Sequence, residues 1–157
     1  MPKSNDLIKL ISKPTIDVAR ELLGHELIYH GTDGPVGGII TETEAYTQDD
    51  PACHAFNGKR TPRNAPMFLS AGHLYIYFIY GMYHCLNIVT EEEGVGAAVL
   101  IRGVEPLDHI DFLDQPHRLL AGLVPAAEPD LLVGTGPQSI RSLLEIDGGR
   151  RIRLETV

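Results

Sequence analysis

Hydrophobic and polar positions change period twice along the chain. After Pro14, the residues Ile16, Ala19, Leu22 and Leu23 recur at helical spacing. Thr15 is placed to cap that helix, and Asp17 suits the positive end of its dipole. Gly24 predicts the stop, because glycine takes the left-handed conformation that closes a helix. From there the period drops to two. Leu27-Ile28-Tyr29 predicts a short strand, 31–35 a turn, and Gly37 to Tyr46 a returning strand. Leu74 to Tyr80, His84 to Thr90 and Ala97 to Gly103 predict three more, joined by short turns at Gly81-Met82 and 91–96, which is the pattern of an antiparallel meander. Between the two sets, Thr47 to Asn64 reads as a long loop holding Pro51, Gly58 and Pro62, a length that goes with function or mobility. Beyond 104 the chain is acidic and interrupted by proline, with a short helix expected at Arg118 to Leu123. A last helix is expected at Gln138 to Leu144 behind Pro137. The pattern predicts one domain of mixed α and β structure.

Composition narrows the class. With 157 residues, 43% hydrophobic and 22% charged, the chain suits a single globular domain and not a disordered or fibrous one. Residues 64–90 carry no Asp, Glu, Lys or Arg, yet their apolar centre, Leu74 to Tyr83, is ten residues long, against roughly 20 for a spanning helix. No signal peptide opens the sequence, and Cys53 and Cys85 are too few for a disulfide framework. The expectation is a soluble intracellular protein, in the cytoplasm or nucleoid if bacterial. The net charge of −8 argues against a polyanion partner until its distribution is considered. Residues 51–90 hold Lys59, Arg60 and Arg63 and no acid, whereas the acids concentrate in 103–147. With a screening length of about 8 Å, the two regions act independently if the fold separates them.

Alternation puts Glu42, Glu44 and Tyr46 on one face of their strand, with Thr41, Thr43 and Ala45 on the other. Such a face is either solvated or holds a carboxylate beside an aromatic ring at the mouth of the long loop, where it can serve as a general base. Four of the six tyrosines, Tyr75, Tyr77, Tyr80 and Tyr83, lie within nine residues. Core packing explains some of them. A core favours Leu, Ile, Val and Phe, however, and repeated tyrosine suits flat aromatic ligands such as nucleobases. Glu44, Cys53, His54 and His84 match no metal-binding spacing, so neither metal nor cofactor is expected. Glu91-Glu92-Glu93 reads as a solvated turn. Gly134-Thr135-Gly136-Pro137 lacks the ending of a phosphate loop.

Several motifs in order carry a resemblance: Glu42 to Tyr46, then His54, then Thr61-Pro62-Arg63-Asn64, then Tyr75 to Tyr83 with Asn87, then Leu100-Ile101-Arg102 and Glu105-Pro106-Leu107. The sequence resembles the alkyladenine (3-methyladenine) DNA glycosylases from about Ile16 to Asp147. That resemblance implies a single α+β domain over 1–157, built on a curved antiparallel sheet with flanking helices and a protruding hairpin. It implies hydrolysis of the N-glycosidic bond of alkylated purines in duplex DNA by a monofunctional, monomeric enzyme away from membranes. Carried over by motif, Glu44 deprotonates the attacking water and Arg102 helps hold it. Tyr46 and Tyr77 sandwich the flipped base beside His54, Asn87 lines the pocket and disfavours guanine, and Tyr80 fills the space left in the duplex. Lys59, Arg60, Thr61 and Arg63 contact the DNA backbone. The family continues past the equivalent of Asp147 and often has a lysine where this chain has Ser139, so a shortened, acidic C-terminal part is expected to affect affinity and lesion range.

One carboxylate suffices for such chemistry. Ordinary glycosidases need a second one to protonate the leaving oxygen. A purine alkylated at N3 or N7 is already cationic and leaves without an acid, and tyrosine faces attract a cationic ring. Two alternatives stay open on sequence alone: a non-catalytic module that binds damaged DNA, and a small-molecule hydrolase with a tyrosine-lined pocket.

Overall fold

The computed structural model describes residues 8–31, 34–79, 83–106, 143–147 and 151–155. Helix α1 spans Thr15–Leu22. The strands are β1 (Glu26–Gly31), β2 (Gly34–Tyr46), β3 (Leu74–Ile79), β4 (Tyr83–Val89), β5 (Ala98–Pro106), β6 (Leu143–Asp147) and β7 (Arg151–Glu155). They form one sheet in the order β3-β4-β5-β2-β1-β7-β6. The expected meander is its β3-β4-β5 part, and the fold is α+β as anticipated. The sheet is not wholly antiparallel: β7 pairs with β1 in parallel, Glu26 opposite Arg151 through Tyr29 opposite Leu154. No helix among the described residues is long and apolar enough to cross a membrane.

Two local expectations change. Leu143 and Leu144 belong to β6 and not to the end of a helix. Their alternation with Glu145, Ile146 and Asp147 matches that of β7, with which β6 pairs from Leu143–Glu155 to Asp147–Arg151. The expected helix at Arg118 to Leu123 lies outside the described residues. The second change is at the start of α1. Pro14 holds the capping position, and Thr15 is already in the helix. The cap comes from far away in sequence. The Glu91 carboxylate accepts the Thr15 backbone N–H at 3.1 Å and its hydroxyl at 2.6 Å, while Thr15 and Thr90 share a buried hydroxyl contact of 2.9 Å. Glu91 therefore closes the positive end of the helix instead of lying free in a solvated turn. Gly24 stops the helix as expected, at φ +81°, with its N–H bonded to the Ile40 carbonyl at 2.9 Å.

The sheet has an apolar layer on each face. On one face, Val18, Ala19 and Leu22 of α1 pack with Ile11, Leu27, Ile40, Leu74, Ile76, Leu86, Ile88 and Val99. On the other, the segment between β2 and β3 contributes Cys53, Ala55, Met67 and Phe68 against Tyr75, Tyr77, Val89 and Ala98. Residues alternate between the two layers along β3 and β4, as period two requires.

In β2 the alternation is broken on purpose. Ile40 pairs with Val104, Glu42 with Gly103, and Thr43 with Ile101, so Thr41 on β2 and Arg102 on β5 each stand unmatched. Before Thr41, the even-numbered Ile40 faces the helix layer. After it, the odd-numbered positions do: the Thr43 hydroxyl donates to the Ala19 carbonyl at 2.7 Å, and Ala45 packs on the same cluster. This bulge bends and curls the sheet and turns Glu42, Glu44 and Tyr46 to the opposite face. β2 is tightly flanked just upstream, where a side chain on Gly38 would begin 2.1 Å from the Glu105 carbonyl oxygen.

Candidate active site

Strand register assembles the loop-side face row by row. Tyr75 opposes Asn87, Asn87 opposes Leu100, and Leu100 opposes Glu44, which lays four strands across one line. A second line runs Val89, Ala98, Tyr46. Tyr77 follows Tyr75 by two and opposes Cys85. Residues separated by 8 to 56 positions in sequence thus become neighbours through backbone pairing alone, at about 4.8 Å per strand.

The loop then folds over this face. His54 places its Nδ1 2.9 Å from the Tyr75 hydroxyl and its ring 4.7 Å from that of Tyr77. The Tyr75 and Tyr77 rings are 5.3 Å apart and tilted by 39°. Tyr46, Ala52, His54, Met67, Tyr75, Tyr77 and Asn87 line an open cleft of about 200 Å³. That is below the usual range for drug-sized ligands and suits a single flat ring system. Burial pushes the Tyr75 hydroxyl up to about 12 and raises those of Tyr77 and Tyr46, so all three stay protonated. Burial, and then the charge of Arg63, lower the His54 pKa, leaving its imidazole neutral at pH 7.

Glu44 sits at the rim, one step along the strand from Tyr46 and outside the cleft lining itself. Arg102, the unmatched residue of β5, reaches both carboxylates of the face: Nη1 is 2.6 Å from Glu44 Oε2, and Nε is 3.4 Å from Glu42 Oε1. The short, charge-assisted bond from Arg102 holds the Glu44 carboxyl below the ordinary carboxylate range, against a smaller opposing effect of burial. A hydrogen bond from the Tyr46 side chain acts in the same direction. The result is an ionised oxygen pair, 39% exposed, beside an aromatic slot.

Asn87 is buried and donates through Nδ2 to the Tyr75 carbonyl at 3.0 Å while lining the cleft floor, so its pocket position and its backbone bond coexist. The basic residues are less simply arranged than their sequence suggests. Arg60 lies over the Phe68 ring at 4.5 Å, and Arg63 over Tyr77 at 5.7 Å. Lys59 and Thr61 are tied through their backbones to the Asn64 side chain. Tyr80 lies outside the described residues. Three cleft residues carry no pocket role from the sequence: Ala52, Met67 and Tyr75. Tyr75 was legible, since it shares a face with Tyr77. Met67 was not, because nothing in the loop sequence distinguishes it from a core residue.

Comparison with known proteins agrees with this geometry. A sequence model of the family described as methylpurine-DNA glycosylase matches residues 9–154. A protein of Synechococcus sp. (strain JA-3-3Ab), provisionally named 3-methyladenine DNA glycosylase, is 47% identical over 149 residues, covering 94% of this chain and 71% of its own length. Relatives with the same provisional name from Francisella tularensis subsp. tularensis (strain WY96-3418) and Methanocella arvoryzae are 46% and 43% identical. These alignments cover 68% and 85% of this chain, and 55% and 64% of the relatives. The chain thus spans between about half and three quarters of the length of the relatives it matches. The motifs that carried the resemblance lie inside the matched segment, and they supply the ion pair and five of the seven cleft residues: this chain belongs to the methylpurine-DNA glycosylase family of DNA repair proteins.

Proposed function

We propose that the protein excises alkylated purines, 3-methyladenine among them, from duplex DNA by hydrolysing the N-glycosidic bond. The observation that carries this reading is the Glu44–Arg102 ion pair at 2.6 Å, on the rim of a cleft walled by Tyr46, Tyr75 and Tyr77. The damaged nucleotide turns out of the helix, and its base enters the slot. Flipping costs a few kcal/mol, less at a damaged pair, and stacking at about 1–3 kcal/mol per base offsets it. Glu44, kept ionised by Arg102, takes a proton from water as that water attacks the anomeric carbon. The cationic purine leaves with the bonding electrons and needs no acid. Asn87 and His54 border the base, and Tyr80, in the link between β3 and β4, fills the space left in the stack. Lys59, Arg60 and Arg63 provide the basic surface for the phosphates, with Thr61 as a neutral backbone contact beside them. Hydrolysis by water leaves an abasic site without strand cleavage.

The decisive experiment incubates methylated duplex DNA with the wild type and Glu44→Gln and measures free purine. Release by the wild type and its near loss in the variant are expected. Equal release by both removes Glu44 from the chemistry, and damage-selective binding without release by either makes the protein a binding module.

A further inference from the structure

Asn64 is a polar residue with 2% exposure in a loop whose other buried side chains, Cys53 and Ala55, are apolar or weakly polar. Both ends of its carboxamide are engaged. Oδ1 accepts the Thr61 N–H at 2.7 Å, and Nδ2 donates to the carbonyls of His54 at 2.9 Å and Lys59 at 2.8 Å. Its own backbone N–H donates to the Thr61 hydroxyl at 3.3 Å. The segment it ties together has little regular structure. It contains one short 3₁₀ turn, Phe56–Gly58, and two consecutive left-handed residues, Asn57 at φ 55° and Gly58 at φ 71°. A side chain that gathers three backbone groups over ten residues takes the place of a missing ladder.

We propose that Asn64 is a positioning residue for the cleft, holding the His54 backbone so that the imidazole stands against Tyr75 and Tyr77. The proposal rests on reading the cleft as the base-binding site. His54 is held at two points: its carbonyl by Asn64, and its ring Nδ1 by the Tyr75 hydroxyl. Tyr75 and Tyr77 face the ring from β3, and Arg63 is the charged group acting on it from its own loop. Releasing the carbonyl frees the ring to leave its partly buried place, and the neutral wall of the slot is lost. The same clasp fixes Lys59 on the outer side of the loop, so one buried amide couples the base slot to the basic rim. Displacement of a contacting group by about 1 Å is enough to cost up to about 10²-fold in rate.

The test compares the wild type, Asn64→Ala and Asn64→Ser. The His54 imidazole is followed by NMR titration without DNA, its signal assigned through His54→Gln, alongside single-turnover excision of methylated purine below the unfolding temperature. In the wild type His54 is expected to titrate below the ordinary value of about 6.5. In Asn64→Ala it rises toward that value and excision falls by about ten- to a hundredfold. Asn64→Ser, which keeps one donor, falls between them and serves alone if the alanine variant does not fold. A lower unfolding temperature with unchanged His54 titration and unchanged excision overturns the positioning role. The titration needs no substrate, so a wild type that releases no purine but has a shifted His54 sinks the glycosylase reading and leaves the clasp standing.

Discussion

The two faces of the sheet are made from alternate residues of the same strands. Toward α1, Leu74, Ile76, Leu86, Ile88 and Val99 meet Val18, Ala19 and Leu22 in an apolar cluster. Toward the loop, Tyr75, Tyr77, Asn87, Tyr46 and Glu44 bring hydroxyl, amide and carboxylate groups to a surface that is only partly closed. The first face holds the sheet rigid through dispersion and burial. The second uses that rigidity: stacked rings and an ion pair keep their spacing because each is anchored to a strand whose other side is packed. Substitutions on the two faces should therefore separate stability from chemistry.

Glu44→Gln should show the largest effect, a fall in excision of about 10²- to 10⁴-fold, with the unfolding temperature nearly unchanged because the group is exposed. Single-turnover release and a thermal melt read both quantities. Ile88→Ala, on the helix face and fully buried, is expected to cost about 2–5 kcal/mol in denaturant unfolding while excision per folded molecule is kept. A comparable loss of activity at low temperature would mean that the faces are not independent. Tyr77→Leu keeps apolar volume and removes the ring, so binding of damaged duplex should weaken by about 1–3 kcal/mol, measured by fluorescence titration against undamaged DNA. Glu91→Ala removes the remote cap of α1, and a loss of about 0.5–2 kcal/mol in unfolding with intact excision is the expected outcome.

The subtlest prediction concerns pH. Arg102 favours the ionised form of Glu44, so its hydrogen bond and charge lower that pKa. Arg102→Gln removes the charge, the Glu44 pKa rises, and the acid limb of the pH–rate profile should move to higher pH. An unshifted limb with a reduced plateau would assign Arg102 to water placement alone.

Much of this arrangement was readable before any coordinates. Period two placed Glu42, Glu44 and Tyr46 together, and it placed Tyr75 with Tyr77, because backbone geometry imposes that alternation wherever a strand forms. The motifs placed the family. What alternation could not supply was its phase. Read straight through from Ile40, it would set Glu42 and Glu44 beside a core isoleucine, and only the bulge at Thr41 sends them to the loop face. Thr15 looked like a cap because capping is ordinarily local, whereas Glu91, 76 residues away, took that role.

The sequence by itself determined which residues share a strand face, where the chemistry is concentrated and to which family the chain belongs, since these follow from local stereochemistry and from the order of residues. Tertiary structure decided which face meets the helix, that Arg102 stands between two carboxylates, and that one buried asparagine gathers the loop. Each of these depends on pairing between strands or on hydrogen bonds between distant segments. Such contacts are settled by register and packing, which no stretch of sequence contains on its own.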